Sequence, residues 1–324
     1  MYFKKIISSG LVFIFLFSMF SCGMVQKKYQ EDSFLCMDTV VGIKIDCDDK
    51  EITKQCRELL EKLDKTFSDT DKKSVTYKYN ESENGIEVPL ELKELVLYSD
   101  EITRETNGAF SVFSGSLTSL WENSNKYPAD SDIQNAVNSI PEEIVFNGDF
   151  LEKSNKDTKL EFGGIAKGYA CDKAVELLKN NGVTSGMVSF TSSIAFFGKN
   201  PNDEPWKIAI KNPVDTRKVA GYVEMYEGYL SVSGDYERFF EIDGKKYNHI
   251  IDSKTGLPVD NGVHCVAVVT DSGAKSDALS TAFFVMGFEE VNKKYANSQE
   301  IKYLFITDDG IFMNKSMSKI FRTT

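Results

Sequence analysis

Apolar residues along this chain follow two rhythms, and the boundaries between them give the elements. Over 52–67, Ile52, Cys56, Leu59, Leu60, Leu63 and Phe67 fall on one helical stripe. A second helix is predicted from Pro89, well suited to a first helical position, to Asn107-Gly108. A third opens at Gly163-Gly164 and runs to Leu178, burying Ala166, Ala170, Ala174, Leu177 and Leu178 and stopping at Gly182. A fourth contains Ser276 to Ala282. Alternating or continuous short apolar runs predict strands over 34–45, 188–197, 206–210, 220–225, 229–232 and 263–270. Hairpins are predicted over 238–247, turning at Asp243-Gly244, and over 303–313, turning at Asp308-Asp309-Gly310. The stretch 65–85 is polar and irregular. The stretch 115–140 is mostly loop with short helical pieces, a length that suits a binding loop. There is no internal repeat and no regular βαβ alternation, so the fold class is α+β, with mixed β-sheets flanked by helices.

The first residues follow a different rule. Lys4 and Lys5 precede seven apolar residues, Leu11 to Phe17, and then Ser18-Met19-Phe20-Ser21-Cys22-Gly23. A charged segment followed by a short apolar one is the pattern of a secretory signal, too short to favour a spanning helix. Ser21-Cys22 resembles a bacterial lipoprotein cleavage site, after which Cys22 carries lipid; simple secretion and an uncleaved anchor are the alternatives. The division is then a signal over 1–22, a polar tether over 23–32 and one catalytic domain over 33–324, placed outside the cytoplasm and anchored to the bacterial membrane. The net charge is −11, and losing Lys4 and Lys5 with the signal leaves −13. Such a surface argues against nucleic acid as a partner. Cys36, Cys47, Cys56, Cys171 and Cys265 form no Cys-x-x-Cys pair, and His249 and His264 are the only histidines, so neither a zinc site nor a histidine-rich metal site fits.

Two segments about a hundred residues apart carry the chemistry. In Leu160-Glu161-Phe162-Gly163-Gly164-Ile165-Ala166-Lys167-Gly168, a glycine pair before a helix start lets backbone N–H groups approach an anion, and Lys167 adds a point charge. In Ser276-Asp277-Ala278-Leu279-Ser280-Thr281-Ala282, Asp277 and Thr281 share one helical face and offer hard oxygen ligands of the kind that suit Mg²⁺. Together they point to metal-assisted chemistry on a phosphate or pyrophosphate. Each has a bland counterpart: a tight turn with a solvated lysine, and an exposed carboxylate beside a threonine bonded within its own helix.

With Ser233-Gly234-Asp235-Tyr236-Glu237-Arg238-Phe239 and Tyr247-Asn248-His249-Ile250-Ile251-Asp252 ahead of Thr255-Gly256, these segments make the chain resemble the ApbE-like family, the FAD:protein FMN transferases, over roughly 34–287. The resemblance implies a T-fold-related architecture, binding of FAD and Mg²⁺, and transfer of the FMN half to a Thr or Ser hydroxyl of an acceptor protein with release of AMP. It places Met37, Thr70, Gly115, Ser116, Leu117, Glu161, Lys167 and Ile251 around FAD, Glu161 at the adenosine end. It gives Mg²⁺ the Gly164 carbonyl, Asp277 and Thr281, with Ser280 adjacent. His249 is the candidate general base, with a structural role as its alternative. His264 reads as structural, Asp235 and Arg238 as an ion pair, Asp252 as a turn cap, and Phe113 as core; Trp121 either lines flavin or packs. Ser111, Ser116, Thr70 and Thr191-Ser192 depart from the family's usual Asp, Pro, Tyr and Gly-Gly. Hydrolysis of FAD to FMN and AMP on the same fold, a non-catalytic flavin-binding lipoprotein and a generic solute-binding lipoprotein are the competing readings.

Overall fold

The computed structural model describes residues 29–236 and 239–323. The signal, Cys22 and Arg238 lie outside them, as does the tether up to residue 28. Where one strand is predicted over 34–45 there is a hairpin, β1 (Gln30–Cys36) and β2 (Thr39–Ile45), because Met37 (φ 50°) and Asp38 (φ 56°) take left-handed backbone and reverse the chain. Strand β1 starts inside the segment read as tether. Helix α1 (Lys50–Phe67) buries the predicted stripe except Leu59, which is partly exposed. The stretch read as irregular contains α2 (Val75–Glu81), started by the Ser74 hydroxyl accepting from Tyr77 N–H; its two buried residues, Thr76 and Tyr79, are too few to register as a stripe. Then come β3 (Gly85–Glu87) and α3 (Leu90–Glu105), with Pro89 at its start as predicted. The expected loop over 115–140 holds α4 (Gly115–Asn123) and α5 (Asp130–Val137).

After the short strands β4 (Phe146–Asn147) and β5 (Phe150–Glu152) comes α6 (Ala166–Asn180), two residues beyond the glycine pair. The span 188–197 is two strands, β6 (Gly186–Ser189) and β7 (Ser193–Phe197), joined by a tight turn at Thr191. The remaining strands follow the apolar pattern: β8 (Trp206–Lys211), β9 (Val219–Met225), β10 (Gly228–Gly234), the hairpin β11 (Phe239–Ile242) and β12 (Lys245–Asn248), and β13 (Val263–Thr270). Helix α7 (Gly273–Tyr295) leads to the hairpin β14 (Lys302–Thr307) and β15 (Gly310–Met313), α8 (Lys315–Ser318) and β16 (Phe321–Thr323).

An eight-stranded sheet, ordered β1-β2-β6-β7-β10-β13-β14-β15 with every pair antiparallel, forms the middle layer. Its central strand β13 is almost continuously apolar because both faces are covered. Val266 and Val268 face the helical layer, whereas Cys265, Ala267 and Val269 face the small sheet β16-β9-β8 through Trp206, Ile208, Ile210 and Val223. Fully burying one valine contributes about 2 kcal/mol, so this strand anchors both layers. The helical layer contains α1, α6 and α7. A satellite cluster of Trp121, Ile133, Ile242, Phe240 and Tyr247 joins the hairpin β11–β12 to α4 and α5.

His264 is the one polar interruption of β13, and it is structural. Its Nδ1 lies 2.7 Å from Asp235 Oδ2 and its Nε2 2.9 Å from Asp308 Oδ1. Arg238, the expected partner of Asp235, lies outside the described residues; the histidine pins Asp235 at the end of β10 to the β14–β15 turn. The two carboxylates, Asp235 first, raise its pKa above the ordinary 6.5. A histidine whose folded pKa is raised adds stability in full below its unfolded value, and loses it as pH climbs through the folded value. Relative to His264→Gln, the wild type should thus gain on the order of 1 kcal/mol at about pH 6, a solvent-screened figure, and nothing at about pH 9. Denaturant melts of both proteins at the two pH values check this; parallel pH dependence would remove His264 as its source.

Candidate active site at a helix seam

The two chemistry-bearing segments meet along the contact of α6 with α7. A Cβ built on Gly168 would sit 2.0 Å from the Gly273 carbonyl oxygen, and one on Gly273 would sit 2.2 Å from that of Gly168. The backbones touch, and only glycine fits at either position. Around this contact Asp277 is 4% exposed, with Oδ2 accepting from Gly168 N–H at 2.9 Å and Oδ1 from Ser193 Oγ at 2.8 Å. One turn on, a Cβ on Gly164 would lie 3.1 Å from Thr281 Oγ1. Gly164, Asp277 and Thr281 are therefore brought together. Ser280 is fully buried with its hydroxyl donated to the Asp277 carbonyl at 2.8 Å, and Ser233 Oγ stands 2.8 Å from Ser280 Oγ and 3.3 Å from Thr281 Oγ1.

This donor set fits a hard divalent cation. It is all oxygen, it has one carboxylate whose oxygens each retain a lone pair, and no group of three or more His, Cys, Asp or Glu that could hold a metal occurs among the described residues. A single-carboxylate site suits Mg²⁺ sharing its shell with phosphate and water.

The anion half differs from the sequence expectation. The N–H of Gly163 is already taken by Glu161 Oε1 at 2.5 Å, and that of Gly168 by Asp277. The Gly163 N–H is bonded within its own turn, by a residue two positions earlier, whereas the Gly168 N–H, in a first turn whose Ile165 has no capping side chain, takes a carboxylate from α7. Lys167 remains as the positive group, its ammonium folded back onto the Gly163 carbonyl at 2.5 Å. Glu161 is pushed up to about 7, first by loss of water and next by the charge of Asp69; the Gly163 N–H and Lys167 pull the other way. Its backbone is held by Val112 at 2.7 Å, and Asn80 clamps both polar groups of Leu160, at 2.7 and 2.9 Å.

The remaining predicted residues lie on four separate segments of the chain. Gly115, Ser116 and Leu117 open α4, with Gly115 N–H on Lys159 O at 3.2 Å and the Ser116 hydroxyl donated to Asp157 O. Thr70 is exposed in the loop after α1, next to the Asp69 that acts on Glu161. Ile251 packs on the satellite cluster, where Trp121 is 1% exposed and donates from Nε1 to Gly256 O at 2.8 Å; Trp121 and Phe113 are both core. Asp252 caps its turn as read, accepting from Lys254 N–H at 2.9 Å. His249 follows β12 and is partly buried. Met37 packs on the main core, and Asp64 of α1 accepts its N–H. Sequence reasoning missed Ser193, Ser233, Asn80 and Asp172, which touch the site residues only through the fold; the i,i+4 spacing of Gly168 and Asp172 was the one available signal.

The span of the chain that is similar to known proteins contains these residues. The pattern of the ApbE family matches residues 37–305. The chain is 32% identical over 275 residues to the FAD:protein FMN transferase of Vibrio cholerae, covering 81% of this chain and 82% of that one. It is 27% identical over 290 residues to the enzyme of the same name from Escherichia coli, covering 83% and 82%. Among solved structures, the ApbE protein of Thermotoga maritima superposes with a TM-score of 0.82 at 29% identity, over 91% of this chain and 100% of that one. The flavin transferase ApbE of Vibrio cholerae gives 0.80 at 28%, over 90% and 99%.

Thr191, at a place where the resemblance leads one to expect glycine, stands at φ 68°, with Ser192 N–H on Phe190 O at 2.7 Å across it. A β-branched residue in the left-handed region of a three-residue turn is strained by about 1–3 kcal/mol. Its hydroxyl, 2.9 Å from Thr39 Oγ1, recovers part of that. Thr191→Gly should relieve the strain at the cost of about 0.5–1 kcal/mol of chain entropy and one exposed hydrogen bond, for a net gain near 0.5–1 kcal/mol. Thermal melts decide; a lower Tm would mean that the threonine pair outweighs the strain.

Proposed function

This chain belongs to the ApbE family, and we propose that it transfers the FMN half of FAD to a Thr or Ser hydroxyl of an acceptor protein in the presence of Mg²⁺, releasing AMP. One observation carries the reading: on α7, Asp277 stands against Gly168 and Thr281 against Gly164, four and eight residues along one helical face from Gly273, with Lys167 next to Gly168 in the chain. Asp277, Thr281 and the Gly164 carbonyl would hold Mg²⁺ together with the substrate's own phosphate oxygens. When bound there the ion supplies charge neutralisation at the pyrophosphate.

The chain's own groups do the rest. Lys167 leaves the Gly163 carbonyl for phosphate oxygens, an exchange of one hydrogen bond for a charge-assisted one. Glu161 accepts from the adenosine end, and Met37, Leu117 and Ile251 border the flavin. His249 takes the proton of the acceptor hydroxyl as its oxygen bonds to the FMN-side phosphorus. The bond from that phosphorus to the bridging oxygen breaks, and AMP leaves as a phosphate, needing little protonation. The product is a phosphodiester between flavin and protein. By the same reading the domain works outside the cytoplasm, tethered through lipid on Cys22. The Asp277–Thr281 pair argues against a flavin-binding protein without turnover, because binding alone needs no metal.

The test is incubation of the full chain with FAD, Mg²⁺ and a candidate acceptor, followed by mass analysis for added FMN and assay of AMP. Asp277→Asn is the informative variant, since the amide still accepts from Gly168 N–H and meets Ser193, whereas alanine would orphan two buried donors at about 1–3 kcal/mol each. It should retain its Tm and lose on the order of a hundredfold or more in turnover. Near-normal turnover at limiting Mg²⁺ would refute the ligand assignment.

Thr70 supports hydrolysis as a second activity. A small exposed side chain, where the family resemblance expects tyrosine, leaves the phosphorus open to water. Some AMP should appear without acceptor, and Thr70→Tyr should reduce it several-fold relative to transfer, because a docked hydroxyl competes by effective molarity. Absence of acceptor-independent AMP from the wild type leaves pure transfer as the activity.

A further inference from the structure

The α6–α7 seam is a ladder. On α7, Gly273, Asp277 and Thr281 succeed one another at four-residue steps along one face; on α6 and the turn before it, Asp172, Gly168 and Gly164 do the same in the opposite direction. Asp277 meets Gly168, Thr281 faces Gly164, and Asp172 meets Gly273. Two of these rungs belong to the proposed metal site. The third lies outside it and is the most heavily bonded: Asp172 Oδ1 accepts from Gly273 N–H at 2.6 Å, and Oδ2 from Ala274 N–H at 2.9 Å and Ser272 Oγ at 3.1 Å. Each helix thus caps the N-terminal turn of the other, Asp172 reaching from α6 to α7 and Asp277 reaching back.

We propose that Asp172 is a positioning residue for the metal site, fixing the register of α7 against α6 so that Asp277 and Thr281 come level with Gly164. This rests on the reading of Asp277 and Thr281 as Mg²⁺ ligands. The physical argument is that glycine contacts permit close approach but resist sliding poorly, because there are no side chains to interlock. Mg²⁺ demands near-octahedral ligands at about 2.0–2.1 Å, so an axial shift well below one helical turn of about 5.4 Å spoils the site. Asp277 cannot hold the register alone, since its oxygens are the ones to be shared with the ion. Asp172 has no such second duty.

The experiment measures Mg²⁺ affinity by calorimetry on the full chain with FAD present, FAD affinity in chelator, and Tm, for wild type, Asp172→Asn and Asp172→Ala. Ile208→Ala, in the small sheet on the far face, supplies a core variant of comparable thermal loss. Asp172→Ala should weaken Mg²⁺ about tenfold or more, the range found when partners of metal ligands are removed. Asp172→Asn, which keeps one acceptor, should fall between it and the wild type. FAD affinity in chelator should change by less than about twofold. If the alanine variant does not fold, the asparagine variant carries the test: Mg²⁺ affinity equal to wild type would overturn the proposal. So would an equal loss of Mg²⁺ affinity in Ile208→Ala, which would reduce Asp172 to general stability. A wild type whose Mg²⁺ binding is untouched by Asp277→Asn would remove the metal reading and this proposal with it; Mg²⁺ binding that depends on Asp277 but not on Asp172 removes this proposal alone.

Discussion

The close approach of Gly168 to Gly273 is the constraint on which the site depends. It brings two helices within backbone contact, so that polar groups fixed to their main chains become neighbours without long side chains to place them. Burial makes the arrangement demanding. Asp277 and Ser193 are almost without water, and Gly168 N–H and the Ser193 hydroxyl give the Asp277 side chain the hydrogen bonds that water would otherwise supply. The sheet beneath supplies the rigidity: Ser193 begins β7 and Ser233 ends on β10, adjacent strands that share a register. A metal site needs ligands held to fractions of an ångström. Two capped helices on a sheet buried on both faces provide that better than any loop.

The start of α6 also carries a set of interacting charges. Glu161, Asp69 and Lys167 lie close enough for their charges to act on one another, and Glu161 is pushed up to about 7 although it accepts an N–H and has a lysine nearby. A carboxyl so placed is under tension at neutral pH. Donor groups such as ribose hydroxyls would relieve it by favouring the ionised form. Lys167, folded on a carbonyl, is likewise a charge without a carboxylate hydrogen-bonded to it in the resting state.

The sequence was legible where one residue type has one physical use. The four-residue step of Asp277 and Thr281, the glycine pair, the Asp243-Gly244 hairpin (φ 52° and 76°) and the apolar β13 all stand where the pattern places them. It was illegible where backbone geometry overrides composition. Nothing in Met37-Asp38 or Thr191 announces left-handed backbone, so two hairpins read as single strands. The helix at Val75–Glu81 buries only Thr76 and Tyr79 and leaves no stripe. Ser193, Asp172 and Asn80 act across many residues of chain, and short polar residues of that kind have too many uses for spacing alone to choose one. The opening of the glycine segment was misread for a related reason: the Gly163 N–H is taken by Glu161 two residues before it, and the Gly168 N–H by Asp277, which only the fold delivers.

The proposed site residues also divide by the kind of element that carries them, and the division bears on function. The proposed metal and phosphate residues sit on or beside the packed seam. The positions where the family resemblance leads one to expect other residues, Thr70, Ser111, Ser116 and Thr191-Ser192, all lie in turns or at the first residues of a short helix. Ser111 shapes the turn into α4 by accepting from Phe113 N–H, and Ser116 ties α4 to Asp157. Substitutions there change how a flavin ring is bordered while the register of α6 and α7 is untouched. The hairpin β11–β12, which leads into His249, is attached through the satellite aromatic cluster, a smaller contact than the one that holds the seam. A fold built this way lets substitutions in turns alter the borders of the proposed site while the α6–α7 seam stays fixed.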